Sequence, residues 1–367
     1  MDYKIPLMKH VVNDEMKEAV LQILEEQKPL VFGDEVFKFE EEFARYIGTK
    51  YAVSLSSGTD ALNLSVIALG VKQKDKVITT TNSFIASANC IQLAGAVPVL
   101  TDIEPNTGNI DIKKMKTNGA KGIIPVHLYG NPCKIEDIIN IAKEEGMFVI
   151  EDACQSHGSA INGKKLGSFG DIACFSFYPS KNITVGGDGG IVTTNNDDLA
   201  NKIASLRDGG RETKGTKRSS HYIHTEIGIN ARLNTINAAI GRIQLKHLDE
   251  WNNERRKIAG LYSKFLPKEV LLNTASGSCF YMFAIKTPLR DKVMAHLAEN
   301  GIKSGIHYPI PIHLQPIYMR LYGYKKGDFP IAEQFCSQIL SIPLFHGITE
   351  EQIKIVAEKI NEVLENA

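Results

Sequence analysis

Between Tyr51 and Asn195, short apolar runs rich in β-branched residues alternate with stretches in which apolar residues recur at helical spacing. This pattern predicts repeated strand-helix-strand units and a mostly parallel sheet. Ile135, Ile138, Ile139 and Ala142 fall at i, i+3, i+4 and i+7, which puts them on one helix face, and Gly146 supplies the left-handed stop behind them. Met147 to Ile150 then reads as a buried strand that closes on Glu151 and Asp152. Acidic side chains at the carboxyl end of a parallel strand stand where open α/β sheets bind ligands. A second apolar run, Tyr51 to Leu55, leads through Ser56-Ser57-Gly58-Thr59-Asp60 into a helical stretch from Ala61 to Leu69.

Farther along, Ile236, Ile240 and Ile243 repeat at helical spacing, and the pattern continues through Trp251 toward Tyr262 as a long connecting helix. Beyond it come an apolar strand (Phe280 to Ile285), a helix near Asp291 to Glu299, and a last helix opened by Thr349-x-x-Gln352, the spacing of a capping box. The chain is thus expected to be α/β, with a large domain at 1–250 and a smaller α+β domain at 251–367.

Composition narrows the partners. The 42 basic and 42 acidic side chains cancel, and no block of like charge occurs, which leaves no footprint for nucleic acid or an anionic membrane. A small-molecule substrate is expected instead. The first residues lack the apolar core of a secretory signal, and no stretch approaches the roughly 18 apolar residues of a membrane span, so a soluble, cytoplasmic protein is expected. The six cysteines show no C-x-x-C and no histidine at zinc spacing; they read as reduced, mostly buried thiols, with no metal.

Three clusters carry candidate chemistry. In Ser56-Ser57-Gly58-Thr59-Asp60 a glycine at a strand-to-helix turn lets backbone N–H groups and hydroxyls converge on a phosphate, although an ordinary Ser/Thr cap fits the same residues. The Gly-Lys-Ser/Thr ending of a Walker loop is missing, and no G-x-G-x-x-G fingerprint occurs anywhere, which weakens a nicotinamide reading. In Glu151-Asp152-Ala153-Cys154-Gln155-Ser156-His157, a buried Asp152 facing a pyridine nitrogen would keep it protonated and make the ring an electron sink, with Gln155 in reach of a ring hydroxyl. Alone, the same cluster also reads as Asp152 capping a turn and His157 as a core histidine. The third cluster, Ser176-Phe177-Tyr178-Pro179-Ser180-Lys181-Asn182, precedes Gly186-Gly187-Asp188-Gly189-Gly190, and its lysine lies 29 residues after Asp152. A single lysine is usually a solvated surface residue. One on a constrained, glycine-flanked loop can be desolvated until its neutral amine attacks an aldehyde.

In this order the clusters resemble the DegT-type family of sugar aminotransferases. The resemblance extends over nearly the whole chain, through Val31-Phe32-Gly33, Phe39-Glu40, Ser83-Phe84-Ile85-Ala86, Gly228-Ile229-Asn230-Ala231-Arg232, and His307-Tyr308-Pro309 with Pro311 and His313. It implies the aspartate aminotransferase (fold type I) architecture of pyridoxal 5'-phosphate (PLP) enzymes, with a mostly parallel sheet of the seven-stranded type between helices. It further implies that Lys181 is the Schiff-base lysine, Asp152 the partner of the pyridine nitrogen and Gln155 the contact to the ring oxygen. Gly58, Thr59 and Ser176 match phosphate ligands, and Phe84 the aromatic stacked on the ring. Asn230 matches a residue that reaches the neighbouring subunit's phosphate, which implies a homodimer with shared active sites. Core packing for Phe84 and a turn for Asn230 stay open. His157, His307, Tyr308 and His313 are expected near substrate, although Pro309 and Pro311 can equally mark a structural turn.

The expected reaction is transfer of an amino group from glutamate to a nucleotide-linked keto sugar. Relatives that dehydrate a deoxysugar carry His in place of the lysine, so Lys181 favours amino transfer. The loop Tyr178-Pro179-Ser180-Lys181-Asn182 lacks the His that relatives acting at C4 often have beside it, which tilts the expectation toward a 3-keto sugar. A cyclitol ketone as acceptor, and a catalytically silent PLP-binding regulator, stand as alternatives. Cysteine desulfurase chemistry ranks last, for want of a recognisable loop cysteine.

Overall fold

The strands of the large sheet form where apolar, β-branched runs are buried on both faces, so that successive residues of one strand enter opposite cores. The computed structural model of the protein describes residues 3–219 and 221–366, the side chain of Arg218 apart. Seven strands make the sheet: β1 (Tyr51–Leu55), β2 (Lys76–Thr80), β3 (Val97–Thr101), β4 (Ala120–Ile124), β5 (Phe148–Asp152), β6 (Ile172–Ser176) and β7 (Gly190–Thr194). Their order is β1-β7-β6-β5-β4-β2-β3. All run parallel except β7, which is antiparallel to both of its neighbours.

Alternation decides the packing. From β6, Ile172 and Cys174 enter a core with α3 (Gly58–Ala68), α4 (Ala86–Leu93) and α6 (Asp197–Leu206), while Ala173 and Phe175 face α1 (Asp14–Glu25), α2 (Asp34–Ile47) and α7 (Thr235–Phe265). Helix α5 (Ile135–Glu144) buries Ile135, Ile138 and Ala142, the face predicted from spacing, and Gly146 follows with φ +65°.

Helix α7 runs unbroken for 31 residues across position 250. Trp251 still packs in the core with α2, whereas Ile258 and Tyr262 enter a second core built from β8 (Phe283–Lys286), β9 (Ile339–Ile342) and the helices Arg290–Glu299 and Glu350–Glu365. Ile5, far away in sequence, joins this second core. The last helix opens with the capping box read from Thr349 and Gln352. Among the described residues no helix is long and apolar enough to cross a membrane, and no group of side chains is arranged to hold a metal ion.

Because β1, β5 and β6 are parallel, their carboxyl ends, Leu55, Asp152 and Ser176, lie along one edge of the sheet. The reversed strand β7 begins at that edge: Gly190 pairs with Ser176, and the Phe177 amide donates to the Gly189 carbonyl at 2.8 Å. The segment carrying Lys181 is therefore a hairpin loop standing on the edge where the acidic cluster ends.

Candidate active site

At this edge lies a cleft of about 470 Å3 whose walls include Gly58, Thr59, Phe84, Asp152, Gln155, Ser176 and Lys181, together with His307 and Tyr308 from the second core's side. Three clusters far apart in sequence thus meet in one space.

The Gly58 end is a cradle. Ser57 caps α3: its hydroxyl accepts from the Asp60 amide at 3.0 Å and donates to the Asp60 carboxylate at 2.8 Å. The ordinary-cap reading of this cluster is therefore correct as far as it goes. Helix geometry still leaves the amides of Gly58 and Thr59 without intrahelical partners, and the dipole there favours an anion. A Cβ on Gly58 would lie 2.6 Å from the Ser176 Cβ, so only glycine lets the helix end approach that serine.

Asp152 is nearly buried, and both of its oxygens are engaged: Oδ2 accepts from the Ser87 hydroxyl at 2.6 Å and Oδ1 from the Cys154 amide at 3.2 Å. Gln155 has its amide oriented by the backbone. Its Oε1 accepts from the Tyr129 N–H at 2.8 Å, which leaves Nε2 as a donor toward the Tyr308 hydroxyl at 3.3 Å and the cleft. Phe84 is 53% exposed, with its ring centroid 6.3 Å from that of Tyr308, and forms an open aromatic wall.

Lys181 is half-buried. Its Nζ stands 4.4 Å from the centre of the Tyr281 ring, and the Tyr281 hydroxyl shares a 2.9 Å hydrogen bond with Ser180. Tyr281 therefore braces both the amine and its loop. His307 pairs its Nδ1 with the Ser341 hydroxyl at 3.0 Å; burial first, and then the nearby Lys181 charge, push this imidazole below its ordinary value and keep it neutral.

Two of the histidines expected near substrate, His157 and His313, are not among the residues that line the cleft. His157 is fully buried between the rings of Phe175 and Phe177, with centroids 5.4 and 5.7 Å away. Burial, followed by the Lys181 charge, pushes its pKa down to about 3; the Ser176 backbone opposes this, though neither ring nitrogen has a partner in hydrogen-bonding geometry. His313 is also fully buried, with Nε2 3.0 Å from a Glu333 carboxylate oxygen and its ring against Phe329. Asn230 is exposed and lines a different depression, beside Arg211, His224 and Arg232. Within one chain it is not brought to Lys181.

The buried His157 has a measurable consequence. In the unfolded chain it titrates near 6.5, and in the native protein near 3. Between these values the unfolded state binds the extra proton, so stability is expected to fall as pH falls, with this group adding about 1.4 kcal/mol per pH unit. Urea unfolding from pH 7 to pH 4 is expected to show this slope, and His157→Gln to lack it. Equal slopes in the two proteins would refute the assignment.

Sequence reasoning missed Ser87, Tyr129, Ser180 and Tyr281. Ser180 lies in the lysine loop itself; the others gave no local signal, because their contacts are made across the fold.

The model of the DegT/DnrJ/EryC1/StrS aminotransferase family matches residues 11–361. Among curated relatives, a pleiotropic regulatory protein of Geobacillus stearothermophilus is 40% identical over 365 residues, covering 95% of each chain. A dTDP-3-amino-3,6-dideoxy-alpha-D-galactopyranose transaminase of Aneurinibacillus thermoaerophilus is 38% identical, covering 95% of this chain and 94% of its own. Among solved structures, S. venezuelae DesV in complex with a ketimine intermediate superposes with a TM-score of 0.93 at 33% identity, covering 99% of both chains.

Proposed function

The chain belongs to the DegT/DnrJ/EryC1/StrS aminotransferase family, and from that premise we propose that it transfers an amino group from glutamate to a nucleotide-linked 3-keto sugar in a ping-pong reaction. It is a sugar aminotransferase with PLP as cofactor. The observation that carries the reading is the single cleft containing both Lys181 and Asp152.

The residues fit the cofactor. The glycine-only approach of α3 to Ser176 leaves a cradle of amides and hydroxyls for a phosphate, the buried carboxylate of Asp152 suits a ring N–H, and the Gln155 Nε2 suits a ring oxygen. Phe84 would lie against the ring. When bound, PLP supplies an aldehyde that captures amines and a protonated pyridine that withdraws electrons. Lys181 would hold it covalently, and the free amine of this lysine would carry a proton to and from the substrate carbon as general base and acid. Asp152, its two oxygens held by the Ser87 hydroxyl and the Cys154 amide, would present a fixed carboxylate to the ring nitrogen, the kind of preorganised group that stabilises developing charge. A neutral His307 leaves the amine of Lys181 without a cationic competitor on that wall.

The 3-keto assignment is supported by the Tyr178-Pro179-Ser180-Lys181-Asn182 loop, which lacks histidine, and by the relative whose name carries a 3-amino sugar. Asn230, exposed beside Arg232 and away from its own cleft, suits a homodimer in which it reaches the partner's phosphate. The protein in its pyridoxamine form is to be incubated with UDP-, dTDP- and GDP-linked 3-keto and 4-keto sugars, and the products weighed by mass spectrometry. Conversion of a 3-keto sugar is the expected result; amination of 4-keto sugars alone overturns the regiochemistry. The 40% identity to a protein named as a regulator raises a second reading, a bound but inert cofactor. Failure of glutamate to convert the bound PLP would favour it.

A further inference from the structure

Ser87 lies in the first turn of α4, 65 residues from Asp152 in sequence, and is fully buried. Its hydroxyl is 2.6 Å from Asp152 Oδ2, 3.0 Å from the Ser83 hydroxyl and 3.2 Å from the Phe84 carbonyl. A hydroxyl has one proton to give, and an ionised carboxylate can only accept. The shortest contact is to the charged acceptor, so the Ser87 proton goes to Asp152, as charge-assisted bonds are the strong ones. That choice fixes the next link: Ser83, whose side chain lines the cleft, donates to Ser87. The two serines form a directed relay ending on the carboxylate. With the Cys154 amide on Oδ1, each oxygen of Asp152 carries one donor and retains lone-pair capacity on the cleft side.

We propose that Ser87 is a positioning residue of the active site: backed by Ser83, it locks the rotation of the Asp152 carboxylate so that one oxygen already stands where the cofactor's ring nitrogen arrives. The inference rests on the reading of Asp152 as that nitrogen's partner. Without Ser87, Oδ2 of the carboxylate loses the side-chain donor it has here, and the group turns toward whatever else can solvate it. The cost falls on the alignment of the charge with the ring, not on its presence.

The test uses full-length holoenzyme, with wild type, Ser87→Ala, Ser87→Thr and Ser83→Ala compared using PLP labelled with 15N at the ring nitrogen. Ser87→Ala is expected to lower kcat about tenfold, the order of one charge-assisted hydrogen bond, with the KM for the amino donor within about twofold. The ring-nitrogen signal should move toward that of an unprotonated pyridine. Ser87→Thr, which keeps the hydroxyl, is expected to restore the signal and most of the rate, and Ser83→Ala to show a smaller shift in the same direction. A merely structural serine would change the melting temperature and leave the nitrogen signal in place. Should Ser87→Ala fail to fold, Ser87→Cys, similar in volume and a weak donor, reads the same quantity. Wild-type kcat and nitrogen signal in the folded alanine or cysteine variant would overturn the proposal. An unprotonated ring nitrogen in wild type would instead overturn the role given to Asp152, so the two failures are separable.

Discussion

Lys181→Ala is expected to bind PLP without retaining it through borohydride reduction, and to lose transaminase turnover by about 10⁴-fold. The magnitude follows from removing two contributions at once: general acid-base transfer, worth up to about 10⁴, and the covalent tether that the amine provides. Among the described residues no second lysine lines the cleft to substitute for it. After reduction, the wild-type peptide containing Lys181 should gain the mass of the reduced cofactor, and the variant peptide has no amine to carry it. A variant with wild-type turnover would remove Lys181 from the mechanism.

Asp152→Asn is expected to do something different. The side chain keeps its shape and can still meet the Ser87 hydroxyl, but the charge opposite the ring is gone. Preorganised charges of this kind are worth about 10²–10³ in rate, so kcat and kcat/KM should fall together by that factor. Borohydride should still trap the cofactor on Lys181. This contrast between a trapped, slow variant and an untrapped, inactive one separates electron withdrawal from covalent attachment. If Asp152→Asn turned over at the wild-type rate, the carboxylate would be a structural cap.

How much of this was legible in the chain depends on the distance over which each feature is encoded. The α5 face, the Gly146 stop and the Thr349–Gln352 capping box were readable because each is decided within one or two helical turns. The sheet-edge position of Asp152 was readable because a strand's end is also local. The histidines show the limit: His157 sits two residues from Gln155, yet its side chain turns inward between Phe175 and Phe177, while Gln155 turns to the cleft. Adjacency to a motif says nothing about which side of a turn a ring will take. Tyr281 was invisible for the opposite reason, since it comes from beyond α7 and meets Lys181 only when the two cores are docked.

The reversal of β7 reaches beyond topology. Since Ser176 and Gly190 are paired, the lysine segment leaves and re-enters the sheet at the same spot. The segment is also anchored between those points, for Phe177, Ile183 and Val185 are buried in the same core as Phe175. The strand that ends at Ser176 and the segment that carries Lys181 therefore form one packed unit. The amine of Lys181 is thus held by the same sheet that carries Asp152, so a change that loosens this excursion is felt first at the lysine.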